Sequence, residues 1–246
     1  MPRSISSSTR DRFTMSLNKL FNESACPTGD KLNNFAKYVR RQDVARFLCR
    51  YEIFKRQLHI KGSVVECGVH HGGGLMTWAQ ISATLEPYNY HRKIIGFDTF
   101  AGFPSVASQD GTGEYSRVGF LAEGYDIDEE LTRSIAVFDS NRFINEKQKV
   151  ELVKGDANET IPRYVGDCPH LVVSLLYLDF DLYEPTITAL THLLPRIPKG
   201  GIIAFDEVNN PYWPGETRAL LEKLEMRRYR LECLEFEPNM AFVQLD

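Results

Sequence analysis

The sequence predicts an α/β protein built on a doubly wound, mostly parallel sheet. Short runs rich in valine, isoleucine and leucine alternate with longer amphipathic segments, as buried strands alternate with helices in such folds. Nearly every one of these runs is followed by an aspartate or a glutamate. The last two predicted strands are separated by a turn at Pro238-Asn239, which indicates a terminal hairpin that adds an antiparallel edge.

Residues 1–61 are predicted to precede the sheet as a tail and a helical extension. Residues 1–13, rich in serine and arginine, lack the apolar stretch of a secretory signal and are interpreted as a mobile tail. Over residues 31–59, apolar positions recur at threes and fours, which predicts one long helix or two shorter ones. Residues 62–246 are then predicted to form one domain.

Five parallel strands and the helices between them are predicted in chain order. The strands are SVVECGV, KIIGFDTF, KVELVKG, LVVSLLYLDFD and GGIIAFDEV. The helices are LMTWAQISATL, a segment at about residues 128–145 with Asp128 as its N-cap, TITALTHLLPRI and ETRALLEKLEM. Residues 101–127 are polar and rich in glycine, and we expect a long loop or lid there. YRLECLEF and MAFVQLD form the terminal hairpin.

The composition narrows the range of partners. Apolar residues make up 43% and charged residues 25% of the chain, as in ordinary globular proteins, and a net charge of −4 gives no electrostatic argument for nucleic-acid binding. No run approaches about 18 apolar residues, so we expect no membrane span. The five scattered cysteines contain no CxxC pair, which argues against a zinc or disulfide framework and favours a reducing cytoplasm.

Acidic residues collect at one edge of the predicted sheet. Ligands of open α/β sheets bind at the carboxyl ends of the strands. A single acid at such a position is usually a solvated residue or an N-cap, but a group of them at one edge indicates a binding site. The acids that end or follow the five strands are, in order, Glu66, Asp98, Asp156, Asp179 with Asp181, and Asp206 with Glu207.

The glycine-rich segment VVECGVHHGGG, residues 64–74, does not fit a dinucleotide. It lacks the GxGxxG spacing, and Asp98 lies too far along the chain for the acid expected about 20 residues on. Glu66 would also repel a pyrophosphate. A cofactor with an ammonium group and a ribose, such as S-adenosylmethionine (SAM), would suit Glu66 and Asp98, and Asp156 or its neighbour would then receive the adenine. The glycines permit close backbone approach.

Asp179, Asp206 and Glu207 are predicted to bind Mg²⁺, because carboxylate oxygens suit a hard cation. Three ionised carboxylates close together need a counter-charge, and a bound ion would also lower the pKa of an acceptor hydroxyl. The alternative is that Asp206 caps the following segment while Asp179 binds the cofactor alone.

The histidines and tryptophans are weaker indicators. Side chains of the successive loop residues His70 and His71 are expected to diverge, one near the cofactor's carboxylate and the other in solvent, so a shared metal ion is not expected. Trp78 is predicted to lie in the core. Trp213 either walls a substrate pocket or covers an apolar surface.

The segments ECGVHHGGG, IIGFDTFAGFP, KGDANETIP, LLYLDFDLYEPT and GGIIAFDE together resemble the macrocin O-methyltransferase family over about residues 62–218. Those are class I, SAM-dependent and Mg²⁺-dependent enzymes that methylate sugar hydroxyls of macrolide and aminocoumarin antibiotics. The acids are more distantly similar to those of catechol O-methyltransferase. The resemblance implies a Rossmann-like, seven-stranded, doubly wound sheet with an antiparallel last strand, here with an N-terminal helical extension.

The resemblance also assigns roles to site residues. It implies contacts with the methionine end of SAM from Glu66 and Gly68, with the ribose from Asp98, and with the adenine region from Asp156 and Ala157. Gly72 and Thr99 are also predicted to bind the cofactor. It implies Mg²⁺ binding by Asp179, Asp206 and Glu207, with Asp179 also beside the cofactor and Asp181 as a nearby second carboxylate; Asp179 and Asp181 are the predicted catalytic residues.

Two features depart from the family pattern. The family usually has two aspartates where this chain has Asp206-Glu207, and no histidine between His91 and His170 is available as a base. Metal activation, assisted by Asp181, is therefore favoured. The predicted function is a cytoplasmic, SAM- and metal-dependent O-methyltransferase acting on a sugar hydroxyl of a nucleotide sugar, glycan or glycosylated natural product, with a homo-oligomer left open. The alternatives are a binding protein that keeps the fold without turnover, and a nucleotide-sugar oxidoreductase.

Overall fold

Seven strands form one sheet in the computed structural model, which describes residues 7–113 and 115–246. Along the sheet the strands have the order β3-β2-β1-β4-β5-β7-β6. Strands β1 to β5 pair in parallel, and β7 is antiparallel to both of its neighbours, so the predicted fold class is confirmed. The strands are β1 (Ser63–Cys67), β2 (Ile94–Asp98), β3 (Val150–Lys154), β4 (Val173–Leu178), β5 (Ile202–Phe205), β6 (Glu232–Leu234) and β7 (Glu237–Gln244).

Helices connect the parallel strands, and the winding direction changes between β1 and β4, which is where open α/β sheets form their ligand crevice.

None of the helices in the described ranges is long and apolar enough to cross a membrane. The helices are α1 (Ser7–Glu23), α2 (Thr28–Asn33), α3 (Arg41–Gln57), α4 (Gly73–Leu85), α5 (Ile127–Ser140), α6 (Ala157–Asp167), α7 (Tyr183–Leu193) and α8 (Pro214–Lys223).

Both faces of the sheet are buried, which explains why its central strands are continuous apolar runs rather than alternating ones. Val65 and Leu176 belong to one hydrophobic cluster. Their neighbours Val64 and Leu175 belong to a second cluster, together with Trp78, which is fully buried as predicted.

The chain divides into two compact units, Met1–Arg46 and Phe47–Asp246. Within the first unit, Lys31 Nζ donates to the carbonyl of Phe21 at 2.5 Å. Within the second, Ile53 of α3 is buried in the core. The domain boundary predicted after residue 61 stays a prediction.

The start of the chain differs from the predicted tail. Residues 1–6 lie outside the described residues, but a helix runs from Ser7 to Glu23. Phe13, Leu17 and Phe21 recur every four residues, which is the spacing of one helix face. The serines of this segment had suggested irregular structure instead. The apolar pattern over residues 31–59 corresponds to the end of α2 and to α3, separated by a short 3₁₀ helix.

Two helices in the middle of the chain also depart from the prediction. Helix α5 is capped by Asp126, which accepts the Glu129 N–H, and not by Asp128, whose carboxylate pairs with Lys154 at 2.8 Å. The prediction missed α6, because Pro162 lies inside it and proline usually ends a helix.

The terminal hairpin is present, but its turn lies at residues 235–236 rather than at Pro238-Asn239. Pro238 belongs to β7 and precedes Ala241, where pairing with β5 begins. A proline is tolerated there because its missing N–H takes nothing from the ladder with β5.

Candidate active site

The carboxyl edge of the parallel strands carries most of the strained backbone in the described residues. A non-glycine residue adopts the left-handed conformation after each of β1, β2, β4 and β5, with φ between 48° and 63°. Such a conformation costs about 1 kcal/mol or more and collects at functional sites. The four residues are His70, Phe100, Asp181 and Asn209.

Two glycines of the loop after β1 are explained by contacts within the protein. A Cβ on Gly68, whose φ is +89°, would lie 2.0 Å from the carbonyl oxygen of Asp179. A Cβ on Gly72, the N-cap of α4, would lie 2.5 Å from Leu131 Cδ1. Their predicted contact with a cofactor stays a prediction, because packing against the Asp179 backbone at Gly68 and the left-handed φ of +82° at Gly72 already favour glycine at these positions.

Gly73 and Gly74 have opposite surroundings. A Cβ on Gly74 would lie 2.2 Å from Glu66 Oε1 and 2.8 Å from Arg50 Nη2. A Cβ on Gly73 would meet no atom of the described residues within 4 Å, although Gly73 opens helix α4. The amino end of α4 is therefore open at Gly73, where a helix terminus favours an anionic group. The carboxylate of the amino-acid part of SAM fits such a place.

Asp98, the predicted ribose ligand, ties two loops of the edge together. Its Oδ2 accepts the backbone N–H groups of Val69 at 2.6 Å and of His70 at 2.8 Å. Its Oδ1 accepts the N–H of Phe100 at 2.7 Å. Asp98 thus holds the loop after β1 against the end of β2, in addition to any contact with a ligand.

The other predicted cofactor residues also have local roles. The Thr99 hydroxyl donates to the carbonyl of Gly102 at 2.7 Å. Asp156 is the N-cap of α6 and accepts the N–H of Asn158 at 2.9 Å. Ala157, the first residue of α6, is buried. These residues lie at the ends of β2 and β3, as predicted, and their contact with adenosine stays a prediction.

A buried arginine of α3, which was not predicted from the sequence, connects the predicted cofactor and metal residues. Arg50 Nη2 donates to the Tyr177 hydroxyl at 3.2 Å, and its guanidinium lies 4.8 Å from the centre of that ring. The Tyr177 hydroxyl in turn hydrogen-bonds with Asp206 Oδ1, and Tyr177 stands opposite Glu66 on the neighbouring strand. The sequence did contain a sign that Arg50 is buried, because Arg50 lies on the same helix face as the apolar residue Ile53.

A further acid missed from sequence lies beside the predicted metal residues. Glu216, in the first turn of α8, is fully buried, and its Oε1 accepts the N–H of Glu207 at 3.0 Å. Its Oε2 has no hydrogen-bond partner in the described part of the chain. Burial, with the carboxylates of Asp206, Asp181 and Glu207, raises the pKa of Glu216 well above its ordinary value.

The donor atoms of these acids are of the type that a hard cation binds, although the three ligand side chains that lie within 4.8 Å of one another in the described residues are His70, His71 and Glu123 rather than these acids. Every donor in the group is an oxygen. Asp206 is 4% exposed, so water screens the repulsion between these carboxylates only weakly. The Asp206 and Glu207 side chains also have local partners, the Tyr177 hydroxyl and the Asn210 amide. Mg²⁺ binding by Asp179, Asp206 and Glu207 stays a prediction.

Elsewhere at the edge, two histidines and an acid come together. Ligand atoms of His70, His71 and Glu123 all lie within 4.8 Å of one another, and within the described ranges this is the place where three such side chains meet so closely. The prediction that the two histidines diverge is wrong, because the left-handed backbone at His70 brings the rings to 3.9 Å between centroids.

The loop at residues 101–127 is anchored rather than free. Asp110, 3% exposed, accepts the N–H of Tyr183 at the start of α7 through Oδ1 at 2.6 Å. Its Oδ2 accepts the N–H of Ala107 at 2.8 Å. A Cβ on Gly215 of α8 would lie 2.1 Å from Asp110 Oδ1, so this carboxylate is packed against two helices.

Aromatic rings of the same loop pack on Trp213. The ring centroids of Phe103, Tyr115 and Phe120 lie 6.0, 5.6 and 5.8 Å from that of Trp213. A cavity of about 350 Å³ adjoins this cluster and is lined by Tyr115, Tyr212 and others. Trp213 therefore covers the apolar face of the loop, while its neighbours in the chain line the cavity.

The strand order, the antiparallel β7 and the glycine loop leading into α4 define the class I SAM-dependent methyltransferase fold. The family model described as Macrocin-O-methyltransferase (TylF) matches residues 40–221. The chain belongs to this family, as its motifs predicted.

Solved structures agree. The chain is 35% identical to CalS11, a calicheamicin methyltransferase, with a TM-score of 0.93 over 98% of this chain and 94% of that one. It is 32% identical to the apo structure of CalS11, described as TDP-rhamnose 3'-O-methyltransferase, with a TM-score of 0.85 over 98% and 96%.

Two curated relatives are more distant. Demethyldecarbamoylnovobiocin O-methyltransferase of Streptomyces niveus is 27% identical over 61% of this chain and 53% of its own length. Mycinamicin III 3''-O-methyltransferase of Micromonospora griseorubida is 26% identical over 60% and 56%. The chain spans about half the length of these relatives.

Proposed function

We propose that this protein is a SAM-dependent O-methyltransferase whose acceptor is a sugar hydroxyl, carried by a nucleotide sugar, a glycan or a glycosylated natural product. The observation that carries the proposal is the carboxyl edge of the sheet, where β1 leads into an open helix terminus at Gly73 and where Glu66, Asp98 and the acids that follow β4 and β5 lie at the ends of their strands. The relatives support the acceptor class, since CalS11 is described as a TDP-rhamnose 3'-O-methyltransferase.

We assign the cofactor to the crevice between β1 and β4. Gly68, Gly72 and Gly73 would let the methionine part approach the backbone, and Glu66 would face its ammonium group. Asp98 with Thr99 would take the ribose, and Asp156 with Ala157 the adenine. When bound, SAM supplies the electrophilic methyl group.

We assign Mg²⁺ to Asp179, Asp206 and Glu207. When bound there, the ion would lower the pKa of an acceptor hydroxyl. The Tyr177 hydroxyl orients the Asp206 carboxylate, and Arg50 orients Tyr177 in turn. The proposed metal ligand Asp206 is therefore held in place by two consecutive buried hydrogen bonds. Asp181, three residues after the last residue of β4, is the carboxylate that would receive the acceptor's proton.

The remaining contribution of the protein is positioning and exclusion of water. The loop at 101–127, anchored by Asp110, brings aromatic rings to the edge of the sheet. The adjoining cavity, of about 350 Å³, lies within the usual size range of small-molecule sites. Tyr115 and Tyr212 line this cavity, and their aromatic rings would pack against the apolar side of a sugar ring.

A methyl-transfer assay tests the proposal. Labelled SAM is incubated with TDP-rhamnose and a panel of other nucleotide sugars, with Mg²⁺ or with EDTA. We expect label in a sugar product only with Mg²⁺, and about a hundredfold loss or more in Asp181→Asn. Asp167→Asn, an exposed acid at the end of α6, is the matched control and should act like wild type. Transfer that ignores EDTA would remove the metal assignment, and absence of any methylated sugar would contradict the acceptor class.

A further inference from the structure

The glycine loop and the loop at 101–127 meet through three potential ligand side chains. His70 Nε2 and His71 Nε2 each lie 3.4 Å from the same oxygen, Oε1 of Glu123. The ligand atoms of the three residues all lie within 4.8 Å of one another. The three side chains therefore surround one small volume.

Hydrogen bonding does not account for this spacing. A distance of 3.4 Å between nitrogen and oxygen exceeds the usual 2.7–3.2 Å of such bonds. His70 Nε2 is buried from solvent and has no hydrogen-bond partner among the residues described. A polar nitrogen in that state is normally satisfied by water or an ion.

A tetrahedral metal ion does account for it. With metal–nitrogen and metal–oxygen bonds of about 2.0–2.1 Å, two ligands on one tetrahedral ion stand roughly 3.3 Å apart. That value matches both distances from the histidine nitrogens to Glu123 Oε1.

The backbone holds the two histidines in this arrangement. His70 has a φ of 48°, a left-handed conformation that turns its ring toward that of His71. The N–H of His70 donates to Asp98 Oδ2 at 2.8 Å, as does the N–H of Val69 at 2.6 Å. The pair is thus preorganised by the end of β2.

The other ring nitrogen of His71, Nδ1, has a hydrogen-bond partner outside this group of three side chains. His71 Nδ1 lies 2.7 Å from the hydroxyl of Tyr125, which belongs to the same loop as Glu123. When Nδ1 carries the proton and donates to that hydroxyl, Nε2 is left with its lone pair toward the shared volume. This is how metal-binding histidines are usually oriented.

We propose that His70, His71 and Glu123 form a binding site for a divalent ion of the Zn²⁺ type, which fastens the loop at 101–127 onto the glycine loop. Two imidazoles and one carboxylate suit Zn²⁺ and its neighbours, whereas Mg²⁺ prefers oxygen ligands alone. Three protein ligands leave one tetrahedral position for water. The site shares no residue with the acids of β4 and β5, and its existence does not depend on methyl transfer.

Calorimetric titration of the chelator-treated full chain with Zn²⁺, in excess Mg²⁺ to occupy oxygen-only sites, tests the proposal. We expect one equivalent of Zn²⁺ to bind tightly to wild type, and this step to disappear in Glu123→Gln and in His71→Ala. Tyr125→Phe should bind Zn²⁺ about tenfold more weakly. His170→Ala, an exposed histidine elsewhere, should bind like wild type.

Thermal melts of the Zn²⁺-free variants establish that each one folds, and Glu123 is exposed enough that Glu123→Gln carries the test if His71→Ala does not fold. Limited proteolysis gives a second readout: Zn²⁺ should protect the loop at 101–127 in wild type and not in Glu123→Gln. Absence of a tight equivalent in wild type, or an unchanged equivalent in Glu123→Gln, would overturn the proposal.

Discussion

At the scale of single residues, neighbouring glycines of the loop after β1 have different reasons to be glycine. Gly74 is closed in by the Glu66 carboxylate, and Gly73 faces open space at the start of α4. The sequence alone showed three glycines in a row and suggested one shared role. Their separate roles depend on which side chains pack beneath the helix, and no local pattern encodes that.

Alanine substitutions separate the two glycines. Gly74→Ala should lower the free energy of unfolding by roughly 1–3 kcal/mol, because its Cβ would overlap Glu66 Oε1 at 2.2 Å. Gly73→Ala should keep or slightly raise stability, since alanine favours helix, and should weaken binding of S-adenosylhomocysteine (SAH). Urea unfolding and calorimetry measure the two effects. Equal destabilisation by both substitutions would contradict the different surroundings.

A buried lysine makes stability depend on pH at the same scale. Lys149 is 2% exposed and donates to the carbonyl of Asn89 at 2.7 Å. Burial lowers its pKa from 10.5 to about 8. Below about pH 8 the folded protein therefore bears the full cost of a buried charge. Between about pH 8 and 10.5 the folded state loses this proton before the unfolded state does, so the cost is progressively relieved.

Comparison of wild type with Lys149→Met isolates this effect. As pH rises from 7 to 10, wild type should gain roughly 2 kcal/mol of unfolding free energy relative to the variant. Urea unfolding of both proteins at the two pH values gives the difference. A difference between the proteins that is the same at pH 7 and pH 10 would show that Lys149 keeps an ordinary pKa.

At the scale of elements, the parallel strands were predictable because burial on both faces leaves continuous apolar runs between turn residues. Helix α6 was not, since Pro162 masks it, and its stability comes from the Asp156 cap and from packing of Ile161. The loop at 101–127 was predictable as irregular chain. Its anchorage by Asp110 was not, because the partners of that carboxylate lie far along the sequence, at Tyr183.

The anchorage of this loop is testable by proteolysis. Asp110→Ala removes the acceptor of the Tyr183 and Ala107 N–H groups, and we expect a loss of about 1–3 kcal/mol of local stability. Cleavage within residues 101–127 should become faster by limited proteolysis. Ser108→Ala, an exposed change in the same 3₁₀ turn, is the control. Equal cleavage rates in the two variants would show that the loop is held elsewhere.

At the scale of the whole molecule, the sheet order brings to one edge residues that are distant in the sequence. Glu66, Asp98, Asp179 and Asp206 could be assigned to that edge from sequence, because the carboxyl ends of parallel strands meet there. Residues contributed by helices, such as Arg50 and Glu216, could not. Which helix turn packs over which strand depends on side-chain packing along the whole chain, and a periodic pattern shows only that one face is buried.

The central claim is that this edge holds SAM rather than a dinucleotide. Calorimetric titration with SAH tests it most directly, with NAD⁺ as the comparison and Asp98→Asn as the variant. We predict one SAH bound per wild-type chain, weaker binding to Asp98→Asn and none of NAD⁺. Wild-type protein that is folded and binds NAD⁺, or that fails to bind SAH, would contradict the claim.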